Sequence, residues 1–406
     1  MDNLALKKPA IDFKKICDEI LKRLNGKTCN DNITGIEIKL RRSLCDMTLQ
    51  ELAEDICSVS YLCKIEQSQI KPNYICLCDI CEKLNISKDT LKVLMDLNKV
   101  LIDMVGAYFE KDEEKLEEIF NKGKGLENYR YKIISFIYYI YKKEFDMALK
   151  LSNELRNIVG VLNDIDLYTY AVFYNILNFD LIEAEEIYEE LKMISKLNSR
   201  ENELMNLVDF LIVKCLFKMN SPLLVKKIDE LSEEYLKVAR FDLIEDIRYI
   251  LALYYLFNYE YEGYENIRKV IYLKKYSKNL DIYYKIINKI KVNKKDLLNA
   301  DSYAYILGLV TIDKTKALEL LNQMNDFNNN VEFDTSLVEY LALDSVEEKY
   351  NYILLTVLPK LKASKNKIIS KFFYNELLLI TENTFKYKLF YDFCMEMKAW
   401  RNYFFS

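Results

Sequence analysis

The side chains with chemistry to offer lie between residues 50 and 71: Gln50, Ser58, Ser60, Tyr61, Lys64, Gln67, Ser68 and Lys71. None of them sets a nucleophile beside a base. They are hydrogen-bond donors and acceptors and single positive charges, the groups that meet base edges and phosphate oxygens. Ser58, Ser60, Tyr61 and Lys64 have the spacing expected of a short helix facing a major groove, with Gln50, Gln67, Ser68 and Lys71 near phosphates.

The stretch that must position them is MTLQELAEDICSVSYLCKIEQSQIKP, Met47 to Pro72. Thr48 is an N-cap residue, Glu51 three places on completes a capping box, and Leu52 and Ala53 follow on the buried side. Cys57-Ser58-Val59-Ser60 favours a turn or a new helix start. A second short helix, Ser60 to Glu66, then places Leu62 and Ile65 on one face and Ser60, Tyr61 and Lys64 on another. Two short helices joined by a tight turn, the second exposing small polar and basic groups, suit major-groove reading.

Other chemistry is excluded or weak. The chain has no histidine, which removes Ser-His-Asp, Cys-His and histidine metal sites, and it contains neither a P-loop nor a G-x-G-x-x-G run. No catalytic residue, cofactor or metal site is expected. Cys76, Cys78 and Cys81 form C-x-C-x-x-C, with Cys57 and Cys63 nearby, so a thiolate metal site or redox switch is one reading. The stronger reading is core. Tyr74 to Leu84 reads as a fourth helix burying Leu77, Ile80, Cys81 and Leu84, and residues two apart on a helix do not converge on one ion.

The segment Ile33 to Ser87 resembles the phage-repressor-like helix-turn-helix, in which T-x-x-E-L-A, a short turn and a helix ending in K-I-E follow one another. ICSVSYLCKIE is similar to the turn and recognition helix of Gram-positive regulators of the RRNPP type. These pair the module with tetratricopeptide-like repeats and answer to short peptide pheromones. The first turn of helix two commonly carries a phosphate-binding Gln after the Thr; here that place is Leu49, and Gln50 follows. In the family an Arg late in helix one pairs with the Glu that closes helix three, and both Arg41 and Arg42 compete for that role.

With 406 residues, a core of substantial size is affordable. Only 8 Gly and 4 Pro, with much Leu, Ile, Lys and Glu, argue for nearly all helix. A net charge of −5 is not that of a generic polyanion binder, so DNA affinity must come from local cations and from two copies acting together. No apolar run approaches the ~20 residues that span a bilayer, and no secretory segment opens the chain, so a cytoplasmic protein without membrane contact is expected.

Four segments are expected: an amphipathic helix and linker at 1–30, the helix-turn-helix domain at 31–88, a connecting helix at 89–110 and a repeat domain at 111–406. In the first, Phe13, Ile16, Ile20 and Leu24 form an apolar stripe that either packs on its own chain or makes a dimer contact. In the last, FDMALKLSNEL, FDLIEAEEIYEEL, MNSPLLVKKIDEL and NYEYEGYENIRKV align Ala148, Ala184, Leu224 and Gly263, and IDKTKALELL near Ala317 is a further copy. Spacings of 36, 40 and 39 residues fit helical hairpins that must stack to bury their apolar faces. Trp400, Tyr403, Phe404 and Phe405 form an apolar end, either a dimer contact or a cap on the last repeat.

The expected fold is therefore all-α, a helix-turn-helix domain followed by a right-handed superhelix of tetratricopeptide-like hairpins. The resemblance implies a homodimeric regulator that binds double-stranded DNA at an inverted-repeat operator. It also implies a short signalling peptide in the repeats, with virulence or toxin genes, sporulation, competence or conjugation as targets. Counting back eighteen, fifteen and eleven residues from the aligned positions gives the peptide-groove candidates. These are Asp166, Thr169 and Phe173; Asn206, Asp209 and Val213; and Glu245, Arg248 and Ala252. Asn206 is placed to clamp a main chain, Arg248 to hold a terminal carboxylate, and Asp166 or Asp209 to meet an amine. The alternative is an adaptor whose repeats dock a partner protein, with DNA binding secondary.

Overall fold

The computed structural model describes residues 8–24, 33–67, 69–86, 88–124, 128–179, 181–195, 202–323, 335–359, 366–384 and 387. Among these, every regular element is helical. In chain order they are α1 (Lys8–Leu24), α2 (Ile33–Leu44), α3 (Leu49–Ala53), α4 (Val59–Glu66), α5 (Tyr74–Lys83), α6 (Lys88–Glu110), α7 (Glu113–Gly123), α8 (Tyr129–Lys142), α9 (Phe145–Asn157), α10 (Asp164–Leu177), α11 (Ala184–Ile194), α12 (Asn202–Lys218), α13 (Leu223–Lys237), α14 (Phe241–Phe257), α15 (Tyr261–Arg268), α16 (Lys274–Ile287), α17 (Ser302–Leu309), α18 (Lys314–Gln323), α19 (Thr335–Ala342), α20 (Val346–Tyr352) and α21 (Lys367–Thr384).

With so few glycines, several hairpin turns use ordinary residues in the left-handed region: Lys143 (φ 61°), Asn220 (φ 49°), Tyr259 (φ 62°) and Lys289 (φ 57°). A second device closes the first helices of hairpins. Asn178, Asn258 and Asn288 each turn their side-chain amide back onto the carbonyl of a tyrosine four residues earlier, Tyr174, Tyr254 and Tyr284, each at 2.9 Å. Each of these carbonyls also accepts the backbone N–H of the same asparagine, so the amide adds a second bond at the helix end.

The chain divides into two compact units, one of Met1–Ile182 with Glu189–Asp209, the other of Glu183–Tyr188 with Phe210–Ser406. The first unit holds the helix-turn-helix together with the leading hairpins, because α2 packs on α6. Here α1 lies on α10 and on the short 3-10 turn Val159–Val161. Ile16 and Ile20 are fully buried, and Lys15 donates to the Arg156 carbonyl at 2.9 Å. Ile16 and Ile20 of the apolar stripe are thus used within their own chain, while the side chains of Phe13 and Leu24 lie outside those described.

α8 packs on α6, α7 and α9, and α10 returns against α8 and α9. Ala148, on the α8-facing side of α9, is fully buried. In the second unit α14 packs between α13 and α15, α17 between α16 and α18, and α21 against α14 and α20. Leu224 and Ala317 are fully buried there. Gly263 lies under the Tyr255 ring, whose carbons come within 2.9 Å of where a Cβ would stand. Small side chains recur where two helices of a hairpin approach closely, as the aligned stretches predict. Trp400, Tyr403, Phe404 and Phe405 lie outside the described residues.

Candidate nucleic-acid interface

The helix-turn-helix is built from local signals. The Glu51 N–H donates to Thr48 Oγ1 at 3.1 Å, and the Thr48 N–H donates to Glu51 Oε2 at 2.6 Å, which completes the capping box. Those backbone and hydroxyl donors hold the Glu51 carboxyl below its usual range. Asp55, at φ 63°, turns the chain out of α3. The second helix begins one residue earlier than the sequence suggests, at Val59, with Ser58 as its cap: the Tyr61 N–H donates to Ser58 Oγ at 3.2 Å.

Beneath α4 lies a core of Ile38, Leu52, Ala53, Leu62, Ile65, Cys76, Ile80, Cys81, Leu84 and Ile86. Cys76 takes a buried place in α5 that the sequence assigns to Leu77, which is half-buried. The ambiguity between the two arginines is resolved. Arg42 forks onto Glu66, Nε to Oε1 at 2.6 Å and Nη2 to Oε2 at 2.8 Å, while Nη1 donates to the Met47 carbonyl at 2.7 Å. The bonds to Glu66 hold the guanidinium in its charged form. Arg41 turns instead to Glu37 at 3.1 Å. One side chain of α2 therefore ties together the end of α4 and the turn before α3.

With Leu62, Ile65 and Glu66 facing inward, Ser58, Val59, Ser60, Lys64 and Gln67 stand exposed on the other side. The side chains of Ser60 and Lys64 enter no hydrogen bond or ion pair among the described residues. Tyr61 is half-buried and its hydroxyl accepts from the Asn73 N–H at 3.3 Å, so it braces the loop after α4 as well as flanking the exposed face. Gln67 contacts Cys63 Sγ at 3.3 Å and accepts from Gln69 at 2.9 Å. Gln50 and Lys71 are exposed, and Ser68 lies outside the described residues. What the structure brings together is a strip of hydroxyl, ammonium and amide groups on one short helix.

The groove candidates are placed less uniformly. Asp166 is fully buried, accepting from Arg130 Nε at 2.9 and 3.0 Å and from the Tyr129 hydroxyl at 2.9 Å. Thr169 is enclosed at a small apolar cleft with Leu101, Val105, Ile165 and Leu204. Phe173 is fully buried with its ring edge-on to Tyr108, centroids 4.8 Å apart, and Val213 and Ala252 are fully buried too. The position eleven residues before each aligned residue is thus packing rather than lining, since it faces the neighbouring helix. Glu245 is buried and accepts from the backbone N–H groups of Tyr272 and Leu273 at 2.9 and 3.0 Å, pinning the turn before α16. Asn206, Asp209 and Arg248 are half-buried, and Arg248 reaches the Val270 carbonyl at 3.4 Å.

Arg130 has a sequence signal of its own: it stands eighteen residues before Ala148, as Asp166 does before Ala184. Equivalent positions of successive hairpins pair, so the repeat register itself locates this ion pair. Glu190 has no such signal. It is buried against Asn175, whose Nδ2 donates to it at 3.1 Å, and against Cys17 of α1.

Among the described residues no group of three His, Cys, Asp or Glu side chains could hold a metal, and no helix is long and apolar enough to cross a membrane. No family model matches the chain, and no curated protein matches it. Two solved structures do. One is Bacillus thuringiensis PlcR in complex with the peptide PapR7 and DNA, at 18% identity over 63% of this chain and 96% of that one, with a TM-score of 0.35. The other is the Streptococcus dysgalactiae SHP pheromone receptor Rgg2, at 14% identity over 71% and 96%, with a TM-score of 0.19. Scores this low leave the functional reading to rest on the chain's own geometry.

Proposed function

We propose that this chain is a sequence-specific DNA-binding transcriptional regulator whose helical hairpins sense a short signalling peptide. The observation that carries the first half is the exposed strip of α4, Ser60 and Lys64 above all, held in fixed orientation by the Arg42 fork onto Glu66. A helix so held presents donors and one cation to a major groove, while Gln50 and Lys71 lie at phosphate height. The N-terminus of α4 adds a partial positive charge on the same side. The chain is proposed to act as a homodimer on an inverted-repeat operator, since one short helix spans only a few base pairs and the net charge of −5 limits single-site affinity.

The test is footprinting of promoter fragments recovered from a genome-wide map of bound DNA. A Ser60→Ala, Lys64→Ala double variant is expected to lose the footprint, each lost base contact costing ~1–3 kcal/mol. Unchanged protection would refute the assignment. The peptide half rests on the half-buried Asn206 and Asp209 in the first unit and Arg248 in the second, whose groups can meet a main chain and its termini. Mass spectrometry of the purified protein for a low-mass peptide tests it, followed by calorimetry with that peptide. Asn206→Ala or Arg248→Ala is expected to weaken binding at least tenfold, and wild-type affinity in both would refute it. Virulence, toxin or sporulation genes are the proposed class of targets, to be read from the same map.

A further inference from the structure

A strongly basic stretch lies outside the helix-turn-helix, in the second unit. Ten of the 28 residues from Arg268 to Lys295 are Lys or Arg and one, Asp281, is acidic, in a chain whose net charge is −5. Local pairing accounts for few of these cations. Arg268 reaches Asp281 at 3.0 Å, Lys285 reaches Asp296 at 2.6 Å and Lys289 reaches Glu376 at 3.4 Å. Lys274, Lys278, Lys291, Lys294 and Lys295 enter no hydrogen bond or ion pair among the described residues.

The fold explains why this surface is open. α8, α14 and α17 each pack against the helix that follows, α9, α15 and α18. α16 packs on α14 and α17, but residues 288–301 after it run as turns and extended chain instead of a second helix. Val292 and Leu297 of that segment are buried where Ile282 of α16 meets Gly308 of α17, so two apolar pins stand where other hairpins place a helical face. The outward side of α16 is left uncovered. Lys274 and Lys278 lie one turn apart on it and Lys285 continues the line, a stripe of roughly 16 Å. Ile290, whose N–H donates to the Lys285 carbonyl at 2.7 Å, is 47% exposed at its end. Leu298 is 63% exposed in the turn that Asp296 ties to Lys285.

We propose that this cationic gap docks an acidic amphipathic helix of a partner protein, which occupies the place that a second helix takes in the neighbouring hairpins. Its carboxylates would meet Lys274, Lys278, Lys294 and Lys295, and its apolar side would cover Ile290 and Leu298. Exposed ion pairs are individually weak and screened by salt, so charge supplies attraction and the apolar contacts supply the register. A DNA duplex fits the surface less well. α15, tied to α16 through Arg268, exposes Glu262 and Glu265, and phosphates spread over a duplex's width would meet those carboxylates. The proposal goes beyond the DNA and peptide readings above and depends on neither.

The probe is a labelled synthetic helix of about four turns, with Leu at every third and fourth place and Glu on the other faces. Its binding to the full chain is followed by fluorescence anisotropy at low and at physiological salt. A scrambled peptide of the same composition, a Lys-for-Glu counterpart and a short random duplex are measured beside it. The acidic helix is expected to bind, more weakly as salt rises, and the scrambled peptide at least tenfold less tightly. A Lys274→Glu, Lys278→Glu variant should lose at least tenfold in affinity while its thermal unfolding matches the wild type, and Lys274→Arg, Lys278→Arg should retain binding. Leu298→Asp, on a different element, should weaken binding independently of the lysines. Equal binding of the scrambled peptide would reduce the surface to general charge attraction and overturn the helix site. Tighter binding of the duplex, unchanged affinity in both the Glu and Asp variants, or no binding at all would overturn it as well. Salt-sensitive self-association of the wild type that the Glu variant loses would make a second copy the occupant and overturn the partner assignment.

Discussion

At the scale of single residues, the orientation of α4 depends on Arg42. Its guanidinium side chain is 14% exposed and the Glu66 carboxylate 4%, so removing either leaves the other charge largely out of water. Arg42→Ala is expected to destabilise the first unit by about 3 kcal/mol, measured by urea unfolding followed by circular dichroism. Arg42→Lys should recover only part of this, because an ammonium cannot make the two-pronged contact. A second residue sets a pH dependence. Burial, opposed by hydrogen bonds from Asn175 and Cys17, raises the Glu190 carboxyl from 4.5 to about 8. Between those values the folded chain holds a proton that the unfolded chain has released. Stability from this group is therefore complete below about pH 4.5 and falls as pH rises toward 8, by at most ~1.4 kcal/mol per pH unit. Glu190→Gln should remove that slope, and a slope that persists in the variant would show that the titrating group lies elsewhere.

At the scale of elements, what could be read from the residues divides by range. The capping box at Thr48 and Glu51 depends on neighbours a few positions away, and Ala148 and Leu224 are buried at the aligned positions of their hairpins, where the pattern places them. The choice between Arg41 and Arg42 could not be read, because adjacent residues on a helix differ by a third of a turn and only the loop path decides which one meets Glu66. Groove residues were harder still. The first helix of each hairpin is packed on several sides, so a polar residue such as Asp166 can equally line a groove or, as it does, hold a buried arginine from the preceding hairpin.

The turns carry their own expectations. Lys143 closes α8 in the left-handed region at φ 61°, ψ 25°, where glycine is unstrained. Lys143→Gly should raise stability by roughly 1 kcal/mol, read as a higher urea midpoint. In the opposite direction, a Cβ at Gly308 would lie 2.5 Å from Leu297 Cδ2 and 3.2 Å from Ile282 Cγ2. Gly308→Ala is expected to cost about 1–3 kcal/mol through overpacking, and an unchanged midpoint would mean that α17 shifts freely.

At the scale of the whole molecule, the account joins a locally braced reading helix to stacked hairpins whose register also pairs buried charges. A chain of net charge −5 gains little from nonspecific attraction to DNA, so its affinity should be sequence-dependent, with a salt slope set by the few phosphate contacts it makes. Lys71→Ala should weaken all sequences alike and reduce the salt slope by about 1, whereas changes on α4 should alter which sequences are preferred. The measurement that bears most directly on the central claim is selection of duplexes from a random library, with the full wild-type chain and the Ser60→Ala, Lys64→Ala variant side by side. The account predicts that the wild type enriches one motif, repeated in inverted orientation, and that the variant loses or changes the preferred bases within each half. Enrichment of the same motif by both proteins, or of none by the wild type, would contradict it.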